Sequence, residues 1–202
     1  MKRLIVILLA LFSVPAFADK PGPGTAAVKS ANEKISDLLK QKVTAGSKEE
    51  KDLAGKVAGS VRDFLDIDEL GKRAMTDQWS KLTAAQQTQF LTTLRELIED
   101  NYVKGLRSNL DYTVDYSGES TDAGNLVVTT QVNTKRHNRP YKIEVDYVLK
   151  KDGDKWKAWD IKTDGVGLVE NYREQFNKIV DKDGFAGLIA KMKAEVSTAG
   201  RA

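Results

Sequence analysis

No cysteine occurs among the 202 residues. That excludes a disulfide framework, a thiolate zinc site and a cysteine nucleophile. Histidine is nearly absent too: His137 is the single one. One imidazole does not make a usual zinc centre, and nothing around it suggests a triad. His137 sits in a basic loop, Lys135-Arg136-His137-Asn138-Arg139, and is expected to face solvent. An excess of one charge is also lacking, with 32 Lys and Arg against 29 Asp and Glu for a net +3. Nucleic-acid binding calls for a clustered basic face, so no nucleic acid is expected as a partner. Long apolar runs are missing after the first twenty residues, so no later segment is expected to cross a membrane.

The one apolar run lies at the start. Lys2-Arg3 precedes Leu4 to Val14, too short to span a bilayer, and Ala16-Phe17-Ala18 has the A-x-A form of a cleavage site. This predicts a secretory signal peptide over 1–18, cut after Ala18; a retained anchor is the alternative. Cleavage removes Lys2 and Arg3 and leaves a net charge near +1. In a Gram-negative source the destination is the periplasm. No cysteine follows the cut, so an N-terminal lipid anchor is excluded.

Residues 19–24, with Pro21-Gly22-Pro23-Gly24, are expected to form a flexible leader. Ala27, Ala31, Ile35, Leu38 and Leu39 then recur at helical spacing, ending near Ala45-Gly46. Ser47-Lys48-Glu49-Glu50 is a capping-box pattern before Leu53, Val57, Val61, Phe64 and Leu65. Asp66 to Glu69 starts a short helix. Thr83-Ala84-Ala85-Gln86 opens the clearest one, with Phe90, Leu91, Leu94, Leu97, Ile98 and Tyr102 on one face and Gly105 as its end. The period then changes to two. Tyr112, Val114 and Tyr116 alternate with polar residues, and 117–124 reads as a loop. Leu126, Val128, Thr130 and Val132 alternate again, then Tyr141, Ile143, Val145, Tyr147 and Leu149, beyond the basic loop 135–140. A tight turn at 151–154 leads into Trp156, Trp159 and Ile161. Two helices close the chain, 168–180 and Phe185 to Val196, before a frayed tail 197–202. Helices, about four antiparallel strands, then helices predict an α+β domain over 25–196 with one sheet face covered.

Catalytic groups are scarce. Asp66, Asp68 and Glu69 could be a carboxylate cluster, but helix capping explains them more simply. Asp160 and Asp164 could hold a cation, yet two carboxylates make a poor oxygen shell, and a turn or cap is the plainer role. Gly165-Val166-Gly167 lacks the length and the Lys-Ser/Thr ending of a phosphate loop. Its expected use is as a hinge at Gly165 and Gly167. No enzyme activity, metal or cofactor is expected.

The segment Asp160-Ile161, Asp164-Gly165-Val166-Gly167-Leu168-Val169, Asn171-Tyr172-Arg173 and Gln175-Phe176 resembles the signature of the MlaC/toluene-tolerance family. Phe64-Leu65-Asp66-Ile67-Asp68-Glu69-Leu70, Arg73-Ala74 and Trp79-Ser80-Lys81-Leu82-Thr83, with Gln86 and Phe90, resemble its helices before the sheet. The turn Tyr116-Ser117-Gly118-Glu119 and the strand from Val145 to Leu149 also fit. The resemblance covers most of 48–190. It implies a cone-like fold and a soluble, monomeric periplasmic phospholipid carrier that helps maintain outer-membrane lipid asymmetry. Its partners would be an outer-membrane lipoprotein–porin complex and an inner-membrane ABC permease/ATPase with an MCE-domain protein. Lipid would be cargo, not cofactor. The alternatives are an adaptor that binds only proteins and an enzyme on a cone-like fold.

The fold so implied, combined with face assignment, places the acyl chains between the sheet and the helices 83–102 and 168–180. The expected lining residues are Phe90 and Leu94 from the first helix, and Val114, Val128, Ile143, Val145, Tyr147 and Trp159 from the sheet. Val166, Val169, Tyr172 and Phe176 complete them. Roughly half are expected to be plain core. Arg173, Lys135, Arg136 and Arg139 are weaker candidates for headgroup or partner contact.

Overall fold

The structure, a computed structural model, describes residues 21–44, 46–108 and 112–199, with side chains for 21–44, 46–101 and 112–196. The expected signal segment 1–18 and the end of the tail, 200–202, lie outside the described residues. Helices α1 (Pro23–Leu39), α2 (Lys48–Phe64), α3 (Ile67–Ala74), α4 (Thr76–Trp79) and α5 (Ala84–Ser108) come first. Strands β1 (Thr113–Asp122), β2 (Asn125–Arg136), β3 (Arg139–Asp152), β4 (Lys155–Thr163) and β5 (Val166–Gly167) follow, then α6 (Leu168–Ala199). This is the expected α+β order, with five antiparallel strands in the sequence β1-β2-β3-β4-β5.

Local chemistry sets the boundaries. Thr83 and Gln86 form a full capping box at α5: the Gln86 N–H donates to Thr83 Oγ1 at 3.3 Å and the Thr83 N–H to Gln86 Oε1 at 2.9 Å. Ser47 caps α2 through the Glu50 N–H at 3.1 Å, and Asp66 caps α3 through the Glu69 N–H at 3.0 Å. The long last helix is really two, broken at Gly184, where φ is 68° and ψ −179°. That break separates the two helices the periodicity indicates.

Five boundaries differ from expectation. The leader is shorter, because Pro23 opens α1 at a first-turn position where a missing N–H costs nothing. α1 stops at Leu39, short of Gly46, with Lys40 as its C-cap and the Lys40 N–H donating to the Ser36 carbonyl at 3.0 Å. α5 runs past Gly105 to Ser108. The expected loops at 117–124 and 135–140 are mostly strand. Their turns shrink to Ala123-Gly124 and His137-Asn138, with all four residues at positive φ. Such two-residue turns match the twist of a hairpin.

Alternation puts Leu126, Val128, Thr130 and Val132 of β2 on one face with Leu149, Tyr147, Val145 and Ile143 of β3. This face is covered. α1 lies along it, contacting β1, β2 and β4, while α2, α3 and α6 pack at β4. α5 packs against α2, α3 and α6. The core is therefore one cluster with two lobes. One is between helices, around Phe90, Leu94, Phe176 and Leu188; the other is on the sheet, around Phe64, Val128, Tyr147 and Ala158.

Candidate functional site

The covered sheet face is the first place to look, because its burial is graded. Along β3, Leu149 is 0% and Tyr147 6% exposed, Val145 and Ile143 are half-buried, and Tyr141 reaches 36%. Val114 and Val132 are half-buried beside them. Helix α1 holds the deep part closed. Val28 and Ile35 of α1 are buried. Its first turn lies so close to β2 that a Cβ on Gly24 would meet Leu126 Cδ2 at 2.5 Å and Val128 Cγ2 at 3.0 Å.

The polar anchors of α1 are few. Gly22 supplies no side-chain cap, and Glu119 of β1 substitutes by accepting the Thr25 N–H at 2.7 Å. A carboxylate there also meets the positive end of the helix dipole. Midway along, Asn32 Nδ2 donates to the Tyr116 hydroxyl at 3.3 Å and to the Tyr147 hydroxyl at 3.5 Å. Burial raises both phenols, with Tyr147 pushed up to about 12.

A groove runs on each side of α1. One, of about 380 Å³, lies between α1, Phe64 of α2 and Trp156 of β4. The other, of about 320 Å³, lies between α1 and Tyr112, Val114 and Tyr116. Both fall at the small end of the roughly 300–1,000 Å³ that holds drug-sized ligands. Periodicity alone misses α1 as a groove wall; the one available signal is that its apolar stripe needs a partner surface.

The candidate lining residues separate into groups. Val128 and Tyr147, with half-buried Val114, Ile143 and Val145, share the covered face. Phe90 and Leu94 are 0% exposed inside the helical lobe. There Phe90 meets Phe176 edge-on at 5.5 Å, and Tyr172 stacks on Phe176 at 5.2 Å. Val166 is 56% exposed on the short β5.

Trp159 belongs to the opposite face. A bulge at Val148/Leu149 sets it out of register, and its indole N–H donates to Asn125 Oδ1 at 3.1 Å. Asn125 precedes Leu126 and so points away from the covered face. The Arg73 guanidinium lies 4.0 Å from the Trp159 ring centroid. Arg173 is engaged nearby, donating to the Arg73 carbonyl at 2.9 and 3.3 Å.

The carboxylates have structural duties. Asp160 is buried, and its Oδ1 accepts the N–H of Ile161 at 2.9 Å and of Val169 at 3.1 Å, tying β4 to the start of α6. This explains Gly167, where a Cβ would sit 2.7 Å from Asp160 Oδ2. Gly165 at φ 84° and Asp164 at φ 48° form the β4–β5 turn. Asp68 pairs with Arg95 at 2.6 Å, and Lys150 bridges Asp66 and Glu69 at 3.0 and 3.2 Å. Burial opposes ionisation of Asp66, but the Glu69 N–H and Lys150 together hold its carboxyl below the usual range.

With this geometry established, comparison with known proteins decides the family. The family model described as "MlaC protein" matches residues 29–194. The chain belongs to the MlaC family. Among MlaC relatives, the intermembrane phospholipid transport system binding protein MlaC of Haemophilus influenzae is 24% identical over 144 residues, covering 70% of this chain and 67% of that one. The toluene tolerance protein ttg2D of Pseudomonas putida is 22% identical over 205 residues, covering 96% and 93%. A phospholipid-binding protein from Ralstonia solanacearum, solved in complex with a phospholipid, superposes with a TM-score of 0.66 at 25% identity. That match covers 87% of this chain and 97% of the other. The fold is thus of the MlaC type. No helix among the described residues is long and apolar enough to cross a membrane.

Proposed function

We propose that this chain is a periplasmic phospholipid carrier of an intermembrane transport system, with acyl chains held on the covered sheet face beside α1. The observation that carries this reading is the graded burial from Leu149 to Tyr141, with grooves opening on both sides of α1. Membership in a family whose relatives bind and transport phospholipid supports it. Two acyl chains carry roughly 28 methylenes at about 0.8 kcal/mol each, so bare transfer through water costs on the order of 20 kcal/mol. A carrier removes that barrier by covering the chains, and the charged headgroup can stay solvated. The outer-membrane lipoprotein–porin complex and the inner-membrane ABC and MCE-domain complex are the proposed partners.

Organic extraction of the purified protein followed by mass spectrometry tests the reading. About one phospholipid per chain is expected after exposure to membranes. Val145→Trp should fill the half-buried face and reduce occupancy, while Val166→Trp on exposed β5 should load normally. A protein that yields no lipid even after incubation with membranes overturns the proposal in favour of a protein-only adaptor.

A further inference from the structure

The β2–β3 hairpin reaches beyond the rest of the sheet. β1 pairs with β2 only as far as Asn133, and β4 pairs with β3 only as far as Val145. Asp164 bonds to the backbone of Glu144 and ends that side. Among the described residues, 134–143 therefore form a two-stranded finger with no strand on either side. From the Asn133–Lys142 pair to the Arg136–Arg139 pair it extends three residues, about 10 Å. An isolated ribbon of this kind gains little stability by itself in water.

The finger contains Lys135, Arg136, Arg139 and Lys142 and no carboxylate. The nearest acid on β1, Asp115, sits at its base and accepts from Asn133 at 2.8 Å. Alternation puts Arg136, Arg139 and Tyr141 on the same face as Ile143, Val145 and Tyr147. The apolar stripe of β3 therefore runs without interruption from the core to exposed Tyr141, then ends in two guanidinium groups. Arg136 already leans over the Tyr141 ring, 5.7 Å from its centroid. Guanidinium groups pair with phosphate oxygens in a bidentate geometry, and tyrosine favours the headgroup level of a bilayer.

We infer that this finger docks on an anionic phospholipid surface, with Arg136 and Arg139 on phosphates and Tyr141 at headgroup depth. The β3 stripe is then continuous with the bilayer interior and gives an acyl chain an apolar path toward α1. The inference rests on the carrier reading and adds to it a direct contact between this chain and a membrane.

Vesicle flotation of the full chain tests it, with phosphatidylglycerol–phosphatidylcholine vesicles against phosphatidylcholine alone. Wild-type protein should float with the anionic vesicles only, and less at high salt, since surface attraction decays within about 8 Å at physiological ionic strength. Arg136→Glu with Arg139→Glu should lower partitioning at least about tenfold. Lys48→Glu with Lys51→Glu, the same charge change on exposed α2 residues, should leave it within about twofold. Tyr141→Asp should weaken it while keeping both arginines. Absence of wild-type flotation, equal flotation on neutral vesicles, or equal losses in the two double variants would each overturn the inference. Lipid extracted from the same samples reports separately on the carrier reading, which fails only if wild-type protein holds none.

Discussion

The two lobes of the core are both built largely of apolar side chains and differ in how they close. In the helical lobe Phe90, Leu94 and Leu188 are 0% exposed, and the aromatic rings interlock edge-on and stacked. On the sheet, burial fades along a single strand, tyrosine hydroxyls face inward to Asn32, and grooves remain open beside α1. A lobe that is finished with its own side chains has no room for cargo. A lobe covered mainly by α1, which has few polar anchors, with Phe64 of α2 against Tyr147, keeps an apolar face that can be uncovered. On the proposed carrier reading, lipid is therefore expected on the sheet, with Phe90, Leu94 and Phe176 contributing packing.

Truncation should separate the lobes most strongly. Phe90→Ala removes a fully buried ring from a closed lobe and is expected to cost about 3–5 kcal/mol in urea unfolding. Ile143→Ala on the graded face should cost about 1 kcal/mol or less, because half of its surface term is never gained. Its effect should appear instead as weaker lipid retention. Equal costs at the two positions would erase the distinction.

The seam between the lobes gives the next effect. Asp160 joins β4 to α6 through the Val169 N–H, and Gly167 leaves room for its carboxylate. Asp160→Ala leaves two buried donors unpaired and should cost about 1–3 kcal/mol. Gly167→Ala pushes against that carboxylate and should also destabilise. The double variant should lose less than the sum, with a coupling of about 0.5–3 kcal/mol in a double-mutant cycle. Strict additivity would mean that Gly167 serves something other than Asp160. Gly165→Pro is a poor probe of hinge motion, because φ of 84° is closed to proline and the variant breaks the turn itself.

Much of this was legible in the sequence, and what was not has physical causes. Capping residues are local, so Ser47, Asp66 and Thr83 mark their helices correctly. Period-two alternation located β2 and β3, because the face under α1 sorts most of their residues, although Val148 on the other face is buried as well. The facing of Trp159 was not legible. A one-residue bulge reverses which side a tryptophan joins, and no local pattern announces it. Nor did periodicity tell which helices rest on the sheet. The stripe of α5 has clear helical spacing and fills the helical lobe, while the stripe of α1, no less clear, lies over the candidate site. Amphipathicity states that a face is buried and is silent about its partner.

Tyr147 offers the smallest effect at neutral pH and a selective one in alkali. Its hydroxyl shares Asn32 with Tyr116, at 3.5 Å, so Tyr147→Phe should change stability by about 1 kcal/mol or less near pH 7. Burial is the main cause that raises the folded-state phenol to about 12. An unfolded tyrosine ionises near 10. Between those values the unfolded chain has lost the proton and the folded chain has kept it. The contribution is therefore complete below about pH 10 and falls by about 1.4 kcal/mol per pH unit as pH rises toward 12. Lysines also titrate in that window, so the informative quantity is the difference between wild type and Tyr147→Phe in urea midpoints from pH 9 to 11.5. The variant should lose stability less steeply. Because the phenol sits under α1, the same alkaline window should loosen the helix from the sheet in wild-type protein and speed lipid release, and Tyr147→Phe should remove that acceleration. Parallel stability curves with identical release rates would place the Tyr147 hydroxyl in contact with water, and the sheet lobe would then be open even where it is most deeply covered.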